Sequence, residues 1–201
     1  MRALLDANVL FPTILREILS DLGAAGLFLP FWSARIIEEW VRAAAKLGSG
    51  QDAIARLEAE GMIRRFPGAQ ISVGDEASLG VQLPDAADLH VLRAAVDAEA
   101  EVIVTANLRD FPRRTLGFYG LRAEHPDEFL LKLARREPST VLEAVEGALL
   151  RARQAGGDLT RREMLSRSRL PRLQKYLSRL TEGSGTSDQG ERWVDDSANK
   201  G

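Results

Sequence analysis

Short apolar runs punctuate the first two thirds of the chain and predict strands. Residues 2–5 form one such run, which ends at Asp6. Residues 102–104 are a β-branched run of the kind found in central parallel strands. Residues 27–31 and 121–124 are two further short runs bounded by turn-forming residues. The pattern therefore predicts at least four strands.

Between these runs, apolar residues recur at helical spacing. Ser33 is placed to cap a helix that continues to Lys46 with one broad apolar face, and Pro84-Asp85 opens another helix. Residues 66–83 have no clear period and predict mainly loop. Alternating strands and helices over residues 1–125 predict an α/β sheet covered on both faces, with its parallel strand ends at one edge. The other predicted helices cover residues 11–22, 51–60, 126–136, 138–153 and 161–180, the last with an interruption near Pro171.

Composition narrows the class of protein. The chain has 201 residues, of which 45% are hydrophobic, enough for one medium domain with accessory elements. It has no cysteine, which excludes disulfides, thiolate metal sites and a cysteine nucleophile and fits a reducing compartment. The uncharged run at residues 22–34 is too short to cross a bilayer, and Asp6 interrupts what would be the apolar part of a signal peptide. We expect a cytoplasmic protein with no membrane association.

The net charge of −2 is an average over three unlike segments. Residues 1–134 hold 14 Lys and Arg against 19 Asp and Glu, whereas residues 135–180 hold 11 against 5. Residues 181–201 are acidic and rich in Gly, Ser, Asp and Asn, so we expect a disordered tail there. We call residues 1–134 the body and residues 135–180 the basic extension. The extension is either a solvated set of helix faces or a surface for phosphates or a partner.

Acidic and amide side chains follow the predicted strands or begin the helices between them. Converging carboxylates repel one another and stay ionised only if a cation neutralises them. Oxygen ligands without cysteine indicate Mg²⁺ or Mn²⁺, and such a metal can activate a water and stabilise charge on a phosphoryl oxygen. The residues in question are Asp6, Glu38, Glu39, Asp85, Asp88, Asn107 and Asp110.

Several of these residues have a simpler structural interpretation. Asp6 could cap the turn after its strand, and Asp85 is better suited to cap its helix than to bind a metal. Asp88, in the first turn, fits either role. His90 and His125 are far apart in sequence and are given no metal role; His125 is instead expected to start a helix.

The two adjacent glutamates also have possible ion-pair partners. Glu38 can pair with Arg42, and Glu39 with Arg35, each four residues away along one helix. Glu39 lies at the edge of the helix's buried face, which favours it over Glu38 as a member of the acidic site.

Four segments of the chain combine these acids with apolar neighbours. They are Leu4-Leu5-Asp6-Ala7-Asn8-Val9-Leu10, Ile36-Ile37-Glu38-Glu39-Trp40, residues 83–92 and residues 104–112. In their order and spacing they resemble the motifs of the PIN-domain nuclease family, in its bacterial branch of VapC-like toxins from toxin–antitoxin pairs. The resemblance covers roughly residues 2–131, and residues 125–129 resemble the end-of-domain signature of that branch. It implies a three-layer α/β/α sandwich around a parallel sheet.

The resemblance also implies an endoribonuclease that depends on Mg²⁺ or Mn²⁺. Its acidic quartet would be Asp6, Glu39, Asp88 and Asp110, of which Asp6, Asp88 and Asp110 would hold the metal. Supporting residues would be Asn8, Thr105, Asn107 and Asp85. Asn107 departs from the family pattern, because many relatives have an acid there; Asp110 would supply the charge instead. An antitoxin partner and a homodimer are further implications.

Three arginines beside the fourth motif are candidate contacts for RNA phosphates, or else ordinary surface charge: Arg109, Arg113 and Arg114. Two other functions stay open. A HAD-like phosphatase also has an aspartate after its first strand, but Asn8 stands where a second aspartate would act as acid and base. A catalytically degenerate module that binds RNA or protein is the other alternative, and Asn107 is its best support.

Overall fold

A computed structural model describes residues 1–183. Its centre is a five-stranded, fully parallel sheet with strand order β3-β2-β1-β4-β5. Four of these strands confirm the sequence prediction; the two-residue β3 falls in the stretch predicted as loop and is too short to produce a period. The strands are β1 (Arg2–Leu5), β2 (Leu29–Ser33), β3 (Gln70–Ile71), β4 (Val102–Val104) and β5 (Arg122–Glu124).

Ten α-helices and three 3₁₀ turns connect and surround the strands in this part of the chain. The 3₁₀ turns are Glu76–Leu79, Ala86–Asp88 and Leu108–Asp110. Over residues 1–183 no helix is both long and apolar enough to cross a bilayer. The helices are α1 (Ala7–Leu10), α2 (Thr13–Ala24), α3 (Ala34–Ala45), α4 (Gln51–Arg65), α5 (Leu89–Asp97), α6 (Arg113–Gly117), α7 (Pro126–Arg136), α8 (Pro138–Gln154), α9 (Arg161–Arg167) and α10 (Pro171–Gly183).

Local sequence signals account for several helix starts. The Ser33 hydroxyl accepts a hydrogen bond from the Ile36 N–H (3.2 Å), which confirms the predicted cap of α3. His125 caps α7 as predicted, its Nδ1 accepting from the Asp127 N–H at 3.2 Å. By contrast, α1 was not predicted, because its four residues are too few to show a helical period.

Helices cover both faces of the sheet, which confirms the α/β/α sandwich. β4 is wholly buried, and α5 packs on β1, β2 and β4 while α2 and α3 pack on β2. The helices of the basic extension pack on this body: α8 lies along α2, and α10 lies along α7. α10 runs through Gly183, and residues 184–201, most of the predicted tail, lie outside the described residues.

One buried carboxylate joins α7 to the start of α10. Asp127, which is 6% exposed, accepts hydrogen bonds from the backbone N–H groups of Arg172 and Leu173, both at 3.0 Å. The first N–H groups of a helix have no partner within the helix, so Asp127 caps α10 from a distant part of the chain. The body and the extension are therefore joined by a specific polar contact as well as by apolar packing.

Replacing Asp127 with alanine is expected to lower the free energy of unfolding by about 1–3 kcal/mol, because two N–H groups at the start of α10 lose their acceptor. Urea denaturation at neutral pH measures this. The matched control is Asp158→Ala, at an exposed aspartate between α8 and α9, which should change stability by less than about 0.5 kcal/mol. Equal effects of the two substitutions would contradict the capping role.

Candidate active site

The carboxyl ends of β1 and β4 bring the first and fourth motifs together. The two strands are parallel neighbours in which Leu5 is paired with Val104, so that the next residues, Asp6 and Thr105, lie side by side. The Asp6 N–H donates to the Val104 carbonyl at 3.2 Å. The predicted juxtaposition of these two segments at one edge of the sheet is thus present.

A set of short hydrogen bonds holds the Asp6 carboxylate. Its Oδ2 accepts from the Thr105 hydroxyl at 2.7 Å and from Asn8 Nδ2 at 2.6 Å, while Asn8 Oδ1 accepts from the Ala106 N–H at 2.9 Å. Asp6 is only 5% exposed, and burial raises its pKa, against the opposing effect of these hydrogen bonds. Thr105 and Asn8 therefore fix the orientation of a carboxylate that is nearly removed from water.

Glu39 approaches the same site from α3. Its Oε1 lies 3.5 Å from Arg35 Nε, which confirms the predicted pair, and 2.9 Å from His90 Nε2. Burial raises the pKa of Glu39, with Arg35 opposing this and the negative charge of Asp6 adding to it. α3 packs on α1, which begins directly after Asp6, so Glu39 and Asp6 lie on neighbouring elements.

The contact of His90 with Glu39 was not predicted from the sequence. His90 is 2% exposed, and burial lowers its pKa to about 4, so that it is neutral at physiological pH. A neutral imidazole beside a carboxylate donates a hydrogen bond to it, so the hydrogen of His90 is assigned to Nε2. Nδ1 has no hydrogen-bond partner among the described residues. A histidine within the apolar stripe of α5, two residues after Asp88, was the only available signal.

Asp85 and Asp88 have different roles at the start of α5. Asp85 Oδ1 accepts from the Ala87 N–H at 2.9 Å and so caps the 3₁₀ turn that leads into the helix, as expected. Burial raises the pKa of Asp88 to about 6, and the charges of Asp6, Asp110, Asp85 and Glu39 add to the rise. Negative charge on these four acids therefore adds to the effect of burial in disfavouring a charge on Asp88.

The fourth motif contributes a linked amide and carboxylate. Asn107 Nδ2 donates a hydrogen bond to Asp110 Oδ2 across the 3₁₀ turn Leu108–Asp110, and the Asn107 N–H donates to the Thr105 hydroxyl at 3.0 Å. Asn107 thus connects Asp110 to the hydrogen bonds around Asp6. The nearby candidate phosphate contacts Arg109, Arg113 and Arg114 are all exposed.

Glu38 lies outside this group, and its predicted partner was wrong. Its carboxylate pairs with Arg56 of α4 at 2.9 Å, whereas Arg42 Nε donates to the Glu38 backbone carbonyl at 3.2 Å. The close packing of α4 against α3 supplies a partner that spacing along one helix could not reveal. Glu38 is a surface residue, as expected.

The donors of the site fit a hard divalent cation by their chemistry. All the predicted ligands carry oxygen donors, and Asp6, Glu39 and Asp88 have raised pKa values, chiefly because burial disfavours their charged forms. Within residues 1–183 no three His, Asp or Glu side chains are arranged closely enough to hold one ion as they stand.

Replacing Asp88 with asparagine is expected to stabilise the metal-free protein near neutral pH, by on the order of 1 kcal/mol after allowing for solvent screening. The pKa of Asp88 is about 6 when folded and 3.8 ordinarily, so the folded wild type loses stability as the pH rises between these values. The gain should vanish below about pH 4, where both states are protonated.

Urea denaturation in EDTA at two pH values, about 4 and about 7, measures this difference. Asp85→Asn is the matched control, because asparagine also caps well and Asp85, unlike Asp88, is exposed. An Asp88→Asn stability gain that is equal at both pH values would contradict the electrostatic explanation.

A comparison with protein families identifies the fold. The five-stranded, fully parallel sheet with helices on both faces defines an α/β/α sandwich protein. Residues 2–109, just over half of the chain, match the family model described as PIN domain. The chain belongs to the PIN domain family.

One curated relative is similar to a short part of the chain. Over 44 residues the chain is 59% identical to a protein named "Putative ribonuclease VapC50" of Mycobacterium tuberculosis (strain ATCC 25618 / H37Rv). This segment is 22% of the present chain and 26% of the relative, so the chain spans about a quarter of that protein's length. No solved structure matches the chain.

Proposed function

We propose that this protein is an endoribonuclease that depends on Mg²⁺ or Mn²⁺ and hydrolyses RNA phosphodiester bonds. The observation that carries the proposal is the series of hydrogen bonds that joins Asp6 to Thr105, Asn107 and Asp110 at the carboxyl ends of β1 and β4. The negative charges of Asp6, Asp110 and Glu39 also help to raise the pKa of Asp88. Membership of the PIN domain family and the ribonuclease name of the partial relative support it.

Asp6, Asp88 and Asp110 would hold the divalent cation, and Glu39 would complete the site or orient the attacking water. When bound, such a cation lowers the pKa of water and stabilises charge on a phosphoryl oxygen. The role of the remaining residues is positional. Asn8 and Thr105 fix Asp6 through their hydrogen bonds to its carboxylate, and Asn107 fixes Asp110.

Substrate binding requires cations near this acidic edge, because RNA carries one negative charge per nucleotide. Arg109, Arg113 and Arg114 are exposed beside the fourth motif and would contact the phosphates on either side of the cleaved bond. The proposed biological role is that of the toxin of a toxin–antitoxin pair, acting in the cytoplasm and bound by an antitoxin protein, with a homodimer as its assembly. The name of the partial relative motivates this role.

The HAD-like phosphatase fits the site less well. That chemistry needs an acid and base two residues after the nucleophilic aspartate, and here Asn8 uses its amide to hold Asp6. A degenerate RNA- or protein-binding module remains the second candidate, because Asn107 supplies no charge.

The experiment that separates these functions compares substrates. We expect cleavage of labelled single-stranded RNA in Mg²⁺ or Mn²⁺, and no phosphate release from a generic phosphomonoester. Trapping of a phosphoryl group on Asp6 would instead indicate the phosphatase. RNA binding without cleavage under any divalent metal would indicate the degenerate module.

A further inference from the structure

A cavity of about 830 Å³ opens beside β5, the edge strand of the sheet. Its walls come from the fourth-motif turn, α6, β5, α7 and the first turn of α10. Its volume lies within the range of about 300–1,000 Å³ that is usual for ligand pockets. We call it the β5 cavity; it is lined by Leu108, Arg113, residues 121–125, Asp127, Glu128, Lys132 and Arg172.

The β5 cavity adjoins the candidate active site. Leu108 belongs to the same 3₁₀ turn as Asp110, and Arg113 begins α6 three residues later. His125 comes directly after β5, just as Asp6 comes directly after β1, and the strands are parallel. The β5 cavity therefore shares the fourth-motif turn with the candidate active site and reaches the carboxyl end of β5 at His125.

Four cations from four different elements line the cavity: Arg113, Arg122, Lys132 and Arg172. Acidic residues of the cavity lining already have hydrogen-bond or ion-pair partners within the protein. Glu124 is 6% exposed and binds Arg122 Nε at 2.6 Å and Lys132 Nζ at 3.0 Å. Asp127 is occupied by the backbone N–H groups at the start of α10. Glu124 therefore fixes the side chains of Arg122 and Lys132, and Asp127 fixes the backbone at Arg172.

Two of the cations are suited to bind a ligand. Arg113 is exposed and makes no ion pair within residues 1–183. The Arg172 side chain is 66% exposed and pairs with Glu128. An ion pair so exposed to water adds little stability, so Arg172 can exchange Glu128 for an anionic ligand. Leu108, Leu121 and Ala123 add an apolar wall. Cations beside an apolar wall match the phosphates and bases of a single nucleic-acid strand.

We propose that the β5 cavity binds the single-stranded RNA next to the cleaved phosphodiester, with Arg113 and Arg172 contacting its phosphates. The inference deepens the proposed function and rests on it for the identity of the nucleic acid. This proposal assigns a function to the basic extension, because the extension contributes Arg172 to the cavity lining. The extension thereby takes part in substrate binding.

The test uses the full chain carrying Asp6→Asn, so that RNA is not consumed. Binding of a fluorescent single-stranded RNA of about ten nucleotides is measured by anisotropy over a range of salt concentrations. Arg113→Ala and Arg172→Ala are each expected to weaken binding by about tenfold and to reduce the slope of log K against log salt by about 0.7, the contribution of one phosphate contact.

The matched control is Arg162→Ala, at an exposed arginine of α9 outside the cavity lining, which should leave the salt slope unchanged. The proposal is overturned if the two cavity variants bind like their parent, if the control loses as much, or if the parent does not bind the RNA. It is also overturned if an acidic peptide of equal charge binds more tightly than the RNA through Arg113 and Arg172.

Cleavage assays in the wild-type background separate the two proposals. Cleavage by the wild type with unchanged RNA binding in the cavity variants would refute the cavity and leave the proposed function standing. RNA binding through the cavity without any cleavage would refute the endoribonuclease and leave the cavity standing.

Discussion

The Asp6→Asn variant is expected to cleave RNA at least about a thousandfold more slowly than the wild type, because several kcal/mol of transition-state stabilisation depend on a charged metal ligand. Asparagine has the same shape and retains an acceptor for the Thr105 hydroxyl, but it carries no charge. The substitution therefore removes charge from the most buried acid of the site while leaving the packing intact. Single-turnover cleavage of a labelled RNA measures the loss.

Two controls accompany this variant. Thermal unfolding should show no loss of stability, because burial raises the pKa of Asp6 and a neutral side chain avoids the cost of that burial. Asp85→Asn, a matched change at the capping aspartate, should keep activity within a few-fold of the wild type, because Asn caps about as well as Asp. Full activity of Asp6→Asn would refute the site.

The second large effect is expected at His90. His90→Leu should lower kcat by about 10- to 100-fold with little change in KM, a loss of the size seen when a hydrogen-bond partner that supports a metal site is removed. The physical reason is that Glu39 would lose the donor that holds its Oε1 at 2.9 Å. His90→Gln, which keeps an amide donor near the position of Nε2, should recover much of the activity. His90 acts through Glu39 and is a positioning residue.

The comparison of the two His90 variants distinguishes positioning from packing. Leucine and glutamine both fill the buried volume, so similar melting temperatures are expected for the two. If glutamine is as inactive as leucine while both are folded, the hydrogen bond to Glu39 is irrelevant to catalysis. A rise in KM without a fall in kcat would likewise contradict the positioning role.

Local patterns were sufficient to predict the elements that build the site. The β-branched run of β4 and the apolar run that ends at Asp6 predicted two parallel strands, and the residues after the carboxyl ends of parallel strands lie at one edge of the sheet. Ser33, His125 and Asp85 predicted helix or turn starts, since capping involves residues only two or three positions apart. The acidic quartet was predicted from these placements and from the resemblance to a family.

Contacts between distant segments were not predictable in this way. The hydrogen bond between His90 and Glu39 joins α5 to α3, and the ion pair of Glu38 with Arg56 joins α3 to α4. Both contacts depend on how the helices pack against one another, which local sequence patterns do not reveal. The cap that Asp127 places on α10 spans 45 residues to Arg172 for the same reason.

Dependence of RNA cleavage on a divalent metal is the most direct test of the proposed function. Labelled RNA is incubated with the wild type in Mg²⁺ or Mn²⁺, with the wild type in excess EDTA, and with Asp6→Asn in the metal buffer. We predict cleavage in the first sample only, and its return when metal is added back to the second. Equal cleavage in all three samples would contradict the assignment of this acidic edge as a metal-dependent nuclease site.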